Sequence, residues 1–237
     1  MIKIKKIFDC FKNPKFFKSY INGVSPLFEL EPLLKNTENI KTLIDVGSNK
    51  GQFGLIAKKY YPNVIIHSFE PQEDQLNIQK KILGNENINY YNLALGNSET
   101  TSKIYITARK DSSSLLKPSE NSNEKYLVKE TKNIKLQKLN NLNFLKNIKR
   151  PCVLKLDVQG YELEALKGGD QILDIIDYII VEVSFLKIYE SQVYAQELFD
   201  FLNSRSFEIR KKCNSTNMDG KLFQEDVLFL KNNISKS

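Results

Sequence analysis

The chain has 237 residues, 41% of them hydrophobic, enough to bury a full core as one large α/β domain and unlike a disordered chain. Its formal net charge of +7 comes from scattered lysines, so charge alone does not single out a nucleic-acid surface. Cys10, Cys152 and Cys213 form no C-x-x-C pair and stand apart from the single histidine, His67, which indicates neither a disulfide framework nor a zinc site.

The first predicted element is "MIKIKKIFDCFKNPKFFKSYI", where Lys alternates with apolar residues and Ile4, Ile7, Phe8 and Phe11 share one helical face. It reads as a basic amphipathic helix in an N-terminal arm, residues 1–39, either packed on the domain or lying on an anionic membrane surface. No stretch is long and apolar enough for a transmembrane helix. With no signal peptide visible, the expected location is the cytoplasm, with peripheral contact at the inner face of the membrane left open.

From residue 40 to 237 the pattern is that of βαβ units around a parallel sheet. Strands are expected at 42–47, 64–70, 88–95, 152–158 and 178–185, and helices near 52–60, 72–83, 161–168 and 192–204. Residues 96–150 interrupt the alternation and read as an inserted β-hairpin with a mobile loop containing "DSSSLL". That loop either closes over a substrate or is an ordinary surface loop. Two closing strands, 207–213 and 226–231, have no helix between them and an Asp219-Gly220 turn signal, so they should pair antiparallel.

The first strand runs straight into a glycine-containing turn, "LIDVGSNKGQFG". Gly47 and Gly51 let the backbone approach a ligand, and Asp45 can accept from an amine or from loop amides. The spacing G-x-x-x-G-x-x-G is not the dinucleotide fingerprint, and Asn49 stands where its middle glycine would be. Glu70 ends the second strand, where an acid can bind both hydroxyls of a ribose. A dinucleotide and S-adenosylmethionine are both candidates; the latter has no pyrophosphate and its ammonium suits Asp45.

The fourth strand, "CVLKLDV", carries charge where a core strand would carry Val or Ile. Period-2 alternation puts Lys155, Asp157 and Gln159 on one side, and Asp157 at the carboxyl end where such sheets hold ligands. Gly160 permits the exit, and Glu162 falls in the first turn of the next helix. Glu182 is a second acid inside an apolar strand, "YIIVEVSF". Burying these groups unpartnered would cost several kcal/mol, so either an active site or a structural Lys155–Glu182 ion pair accounts for them.

Taken together, "IDVGSNKGQFG", "SFEP", "ALGN", "DSSSLL" and "KLDVQGYELEALKGG" resemble the FkbM-type S-adenosylmethionine-dependent methyltransferases over about residues 40–231. The resemblance implies a Rossmann-like class I methyltransferase fold. This is an α/β architecture with a mostly parallel seven-stranded sheet, an antiparallel last strand and helices on both faces. It implies that Asp45, Gly47, Ser48, Asn49 and Gly51 line the cofactor's methionine end, Glu70 and Pro71 its ribose, and Ala94 its adenine side. Lys155, Asp157 and Glu162 carry the family's K-x-D-x-[EQ]-G-x-E core, with Gln159 where Glu is frequent, and Glu182 and Tyr189 are drawn toward the substrate. The activity implied is O-methylation of a sugar, glycan precursor or related small-molecule hydroxyl.

Such a transfer needs a base near the acceptor oxygen, and Asp157 or Glu182 is expected to serve, with Lys155 fixing the carboxylate geometry. A divalent cation polarising the hydroxyl is the less favoured variant, since two or three carboxylates are evident and no metal ligand set is expected. An RNA methyltransferase is disfavoured because no Pro-Pro-aromatic segment follows the fourth strand. A non-catalytic S-adenosylmethionine-binding module would have little reason to keep both Asp157 and Glu182. Oligomeric state is not readable from the sequence.

Overall fold

The β-rich runs close into a seven-stranded sheet whose C-terminal edge holds every charged strand residue singled out above. The structure is a computed structural model that describes residues 14–120 and 123–232. The expected apolar face of Ile4, Ile7, Phe8 and Phe11, and Cys10, lie outside the described residues.

The strands are β1 (Thr42–Val46), β2 (Ile65–Phe69), β3 (Ile88–Tyr91), β7 (Cys152–Leu156), β8 (Tyr178–Ser184), β9 (Phe207–Met218) and β10 (Lys221–Lys231), with β4 (Ala94–Leu95), β5 (Thr100–Thr107) and β6 (Val128–Gln137) in the insertion. The order across the main sheet is β3-β2-β1-β7-β8-β10-β9. Every neighbouring pair is parallel up to β8; β10 runs antiparallel to both β8 and β9, so the last strand alone opposes the others. This is the expected class I methyltransferase arrangement, and it reverses strand order beside β1, where open α/β sheets form a crevice.

Because β strands alternate sides, each strand feeds two cores. Ile44, Leu154, Val181 and Val227 pack under α5 (Glu162–Gly168) and α6 (Ala195–Ser204), which contribute Leu166 and Leu198. Leu43, Val153, Ile180 and Leu228 pack on the opposite face with Phe53 and Ile56 of α3 (Gln52–Tyr60) and Ile82 of α4 (Glu73–Leu83). That second core also takes Phe16 of α1 (Pro14–Ile21), and Leu33 and Leu34 of α2 (Glu31–Leu34). The described part of the N-terminal arm is therefore packed on the domain, while Phe17, Tyr20 and Ile21 stay exposed.

The insertion makes its own three-stranded sheet, order β4-β6-β5, from an antiparallel β5–β6 hairpin joined in parallel to β4. It is anchored where α5 ends: a Cβ on Gly168 would stand 2.0 Å from the Gly96 carbonyl oxygen, so the two backbones touch. The Asp219-Gly220 turn joins β9 and β10 with both residues at positive φ, 50° and 75°, the conformation a tight hairpin turn requires. Both strands run on to that turn, farther than the apolar runs alone suggest.

Candidate active site

The face of the sheet that carries Leu43, Val153 and Ile180 turns polar toward the strands' C-terminal ends. Asp45 is paired in register with Lys155, and Glu182 with Asp226. Leu156 pairs with Val181, so Asp157, one residue on, comes level with Glu182. Antiparallel β10 contributes from its first half, because the start of a reversed strand lies beside the ends of its parallel neighbours.

All of these charged side chains but Asp45 meet at a cavity of about 270 Å³. One end is lined by Gly47, Ser48, Asn49, Glu70 and Pro71, with Phe69, Leu93 and Ala94 supplying apolar surface. The other end is lined by Lys155, Asp157, Gln159, Glu182, Gln224 and Asp226.

Lys155 is the hub. Its Nζ lies 3.3 Å from Asp157 Oδ2 and 3.5 Å from Asp45 Oδ1, and it donates to the Gly47 carbonyl at 3.4 Å. Burial opposes its charge, but the two carboxylates outweigh that and hold its pKa above the usual lysine range. The alternative Lys155–Glu182 ion pair does not form. Glu182 instead accepts from two amides, Gln224 Nε2 at 2.9 Å and Gln159 Nε2 at 3.3 Å. Gln159 also donates to Asp157 Oδ1 at 2.8 Å, so one amide links the two acids. Glu182 keeps some access to the cavity, yet the desolvating mass of protein around it, reinforced by Asp157 and Asp226, raises its pKa well above the usual carboxylate range.

At the other end, Glu70 accepts from the backbone N–H of Asn49 at 2.9 Å and of Gln72 at 2.8 Å. Burial nevertheless pushes its pKa up to about 7. Asn49 adopts φ 48°, which explains how this loop turns without the middle glycine of the dinucleotide fingerprint: Asn tolerates the left-handed region better than most side chains.

Several expected site residues have other work. Asp45 does not line the cavity; it is wholly buried beneath it against Lys155, and burial raises its pKa. The glycine-loop positions approach protein rather than open space: a Cβ on Gly47 would fall 1.9 Å from the Asp157 carbonyl oxygen, and one on Gly51 would fall 2.7 Å from the Gln79 side chain of α4. Gly47 still lines the cavity; Gly51 does not. The Ser48 hydroxyl is turned inward to Ser68 and Gln79. Glu162 is buried behind the wall, where its Oε1 accepts from Val158 N at 2.9 Å and Gly160 N at 3.1 Å, bracing the loop that carries Gln159. His67 is a core residue, stacked on Phe144 at 3.8 Å, and burial lowers its pKa to about 4.

The "DSSSLL" segment is a strap over the cavity, with Ser112, Ser113 and Ser114 among the lining residues. It is tied down on both sides. Ser114 Oγ donates to the Gln159 carbonyl at 2.7 Å, and Tyr189 Oη donates to the Ser112 carbonyl at 2.7 Å. On the Glu70 side Lys110 forms an ion pair with Asp74.

Sequence reasoning missed Asp226, Gln224 and Asn214, whose Nδ2 donates to Asp226 at 2.8 Å. The rule that exposed Lys155 and Glu182, a charge within an apolar strand, applies to Asp226 in "DVLFLK" as well. No group of three His, Cys, Asp or Glu suited to a metal ion occurs among the described residues.

The methyltransferase FkbM domain model matches residues 45–209. The chain belongs to the FkbM methyltransferase family. A curated relative, Methyltransferase 1 of Beauveria bassiana, is 26% identical over 158 residues, covering 60% of this chain and 64% of that protein, so the match spans less than two thirds of the relative's length. Among solved structures, a putative S-adenosylmethionine-dependent methyltransferase from Listeria monocytogenes aligns with TM-score 0.49 at 9% identity, over 86% of this chain and 97% of that one. Magnesium protoporphyrin IX methyltransferase from Synechocystis aligns with TM-score 0.47 at 9% identity, over 85% and 76%. The FkbM match takes in the Glu70 end of the cavity and the core from Lys155 to Glu162; Asn214, Gln224 and Asp226 lie beyond it.

Proposed function

We propose that the chain is an S-adenosylmethionine-dependent O-methyltransferase acting on a hydroxyl of a sugar, glycan precursor or related small molecule. The observation that carries this reading is the placement of Asp157, fixed by Lys155 and Gln159, in one cavity with the Gly47–Asn49 turn and Glu70.

The residues at the Glu70 end fit the cofactor. Asn49 Oδ1 is buried without a hydrogen-bond partner, an acceptor that a ligand N–H would satisfy. Each Glu70 oxygen accepts one backbone N–H and retains a lone pair for a ribose hydroxyl. Phe69, Leu93 and Ala94 offer the apolar surface a purine needs. Bound there, S-adenosylmethionine would supply an electrophilic methyl on a positively charged sulfur.

The chain's own task is to hold the acceptor and take its proton. Asp157 keeps one oxygen near Lys155 and the other on Gln159, so its geometry is set before substrate arrives. Glu182 stands level with it, held by Gln159 and Gln224, and the strap limits water at the site. The sugar class of the acceptor rests on family resemblance.

The test is calorimetric titration with S-adenosylmethionine, S-adenosylhomocysteine and NAD, in wild type and Glu70→Ala, followed by sugar-nucleotide and glycan acceptors. Micromolar binding of both adenosyl compounds, weakened tenfold or more by the substitution, is expected, at roughly 1.4 kcal/mol per factor of ten. Preference for NAD, or no binding, refutes the reading.

A further inference from the structure

Glu182 and Asp226 are directly opposed residues of the antiparallel β8–β10 pair, and both line the cavity. Directly opposed like charges destabilise a strand pair, and this pair sits where water is scarce. The surroundings do not neutralise it. The ammonium that lines the cavity beside them, Lys155, is engaged by Asp157 and Asp45. The polar atoms that hold the two acids are amides: Gln224 and Gln159 on Glu182, and Asn214 on Asp226. Amides orient carboxyls without cancelling charge.

We infer that Asp226 is a positioning residue for Glu182: the two carboxyls hold one proton between them at neutral pH, and the pair as a unit takes the proton of the acceptor hydroxyl. This rests on the methyl-transfer reading above. The acceptor O–H bond breaks, its electron pair remains on oxygen for the new bond to carbon, and the proton joins the pair. The electron pair of the broken carbon–sulfur bond is left on sulfur. The pair returns its second proton to water before the next turnover.

The charged neighbours agree with this assignment. Glu182 is faced by Asp157 and Lys155 from β7, Glu162 from α5 and Asp226 from β10, with the phenols of Tyr126 and Tyr189 close by. Asp226 is faced by Asp157 and Lys155, by Glu29 from the segment before α2, and by the Cys213 thiol of β9. Acids outnumber the ammonium on every side but one. Burial, with Asp157 and Glu29 adding to it against the Asn214 bond, pushes Asp226 up to about 7. Two interacting carboxyls then titrate in two steps that belong to the pair.

Asp226 lies outside the residues matched by the family model, so this assignment goes beyond the shared FkbM core. The experiment is a carboxyl-carbon NMR titration of the ligand-free protein, in wild type, Asp226→Asn, Asp226→Glu and Glu182→Gln, alongside the pH profile of kcat/KM. In wild type a carboxyl step near neutrality is expected. Asp226→Asn should lower the Glu182 midpoint by about 1 pH unit or more, while the acid limb of kcat/KM stays nearly in place, because the neutral amide stands in for the protonated partner of the pair. Asp226→Glu should restore the midpoint. Glu182→Gln should lower the Asp226 midpoint in turn, a reciprocal reading that does not depend on one variant folding. A Glu182 midpoint unmoved by Asp226→Asn overturns the inference, as does an acid limb of kcat/KM that falls by the full shift of that midpoint. A paired titration in a protein that transfers no methyl group to any acceptor would instead refute the functional reading and with it the role assigned to Asp226 in turnover, while the shared proton itself stood.

Discussion

Gln159 donates its Nε2 to Asp157 Oδ1 at 2.8 Å from a backbone held at φ 56°. The same nitrogen reaches Glu182 at 3.3 Å, so a neutral amide stands between two acids. Gln159→Glu replaces that amide with a third carboxylate, which raises the proton affinity of Glu182 further. The acid limb of kcat/KM should move to higher pH, with activity along that limb reduced about tenfold for a shift of about one unit and the plateau above it kept. An unchanged profile in a folded variant would show that the amide does not tune these acids.

Glu162 separates bracing from chemistry. One of its oxygens accepts both loop N–H groups, and the carbonyl oxygen of Gln can do the same. Burial pushes Glu162 up to about 7, against an ordinary 4.5. An acid with a raised folded pKa favours the fold most below its unfolded pKa, and that contribution is lost as pH climbs through the folded value. Glu162→Gln should therefore gain stability over wild type at pH 8, on the order of 3 kcal/mol at most, and little at pH 4. Urea midpoints at the two pH values check this, and kcat should stay within about threefold, since the carboxylate does not reach the cavity.

Gly47 tests the close contact of β1 and β7. Gly47→Ala would drive a Cβ to 1.9 Å from the Asp157 carbonyl oxygen at a φ of 73°, a backbone clash with no flexible side chain to yield. Loss of several kcal/mol in urea unfolding is expected, with loss of cofactor binding by calorimetry. Wild-type affinity in this variant would mean that the turn is not where the cofactor sits.

Tyr189 holds the strap. Its hydroxyl donates to the Ser112 carbonyl and lies 3.2 Å from Gln159 Oε1. Tyr189→Phe leaves that carbonyl without its buried donor, at a cost of about 1–3 kcal/mol. Amide hydrogen exchange should quicken in residues 109–119, and acceptor KM should rise with cofactor affinity unchanged. Equal exchange in both proteins would place the restraint elsewhere.

Much of the scaffold was legible because its signals are local. Apolar runs bounded by turn residues marked all seven main strands, although β9 and β10 each extend five residues past those runs and the run 88–95 joins β3 to β4 of the other sheet, and the Asp219-Gly220 turn was visible as a pair. The separate sheet of the insertion was not, since the pairing of β4 with β6 joins residues some forty apart and leaves no periodic trace in either. Site residues divided the same way. Lys155, Asp157 and Glu182 stood out as charges within apolar strands, whereas Asp45, Gly51 and Glu162 satisfied the same patterns while facing into the protein. Direction of a side chain at a turn depends on backbone dihedrals that composition does not reveal. Asp226 went unnoticed because the polar Gln224 and Glu225 before it mask the first half of β10, and its nearness to the cavity follows from a reversal of chain direction.

Among the stretches of chain that line the cavity, two differ in what surrounds them. The turn after β1 and the end of β2 are locked into α3 and α4, where small changes strike backbone. The β9–β10 hairpin reaches the cavity from the sheet's margin, with Asn214 and Gln224 on strands that meet solvent on one side. Asn214 and Gln224 stand outside both apolar cores, so they can be exchanged without disturbing the fold's centre. Under the proposed function, exchanging Asn214 and Gln224 would alter the acceptor end of the cavity while the turn after β1 and the end of β2 stayed as they are.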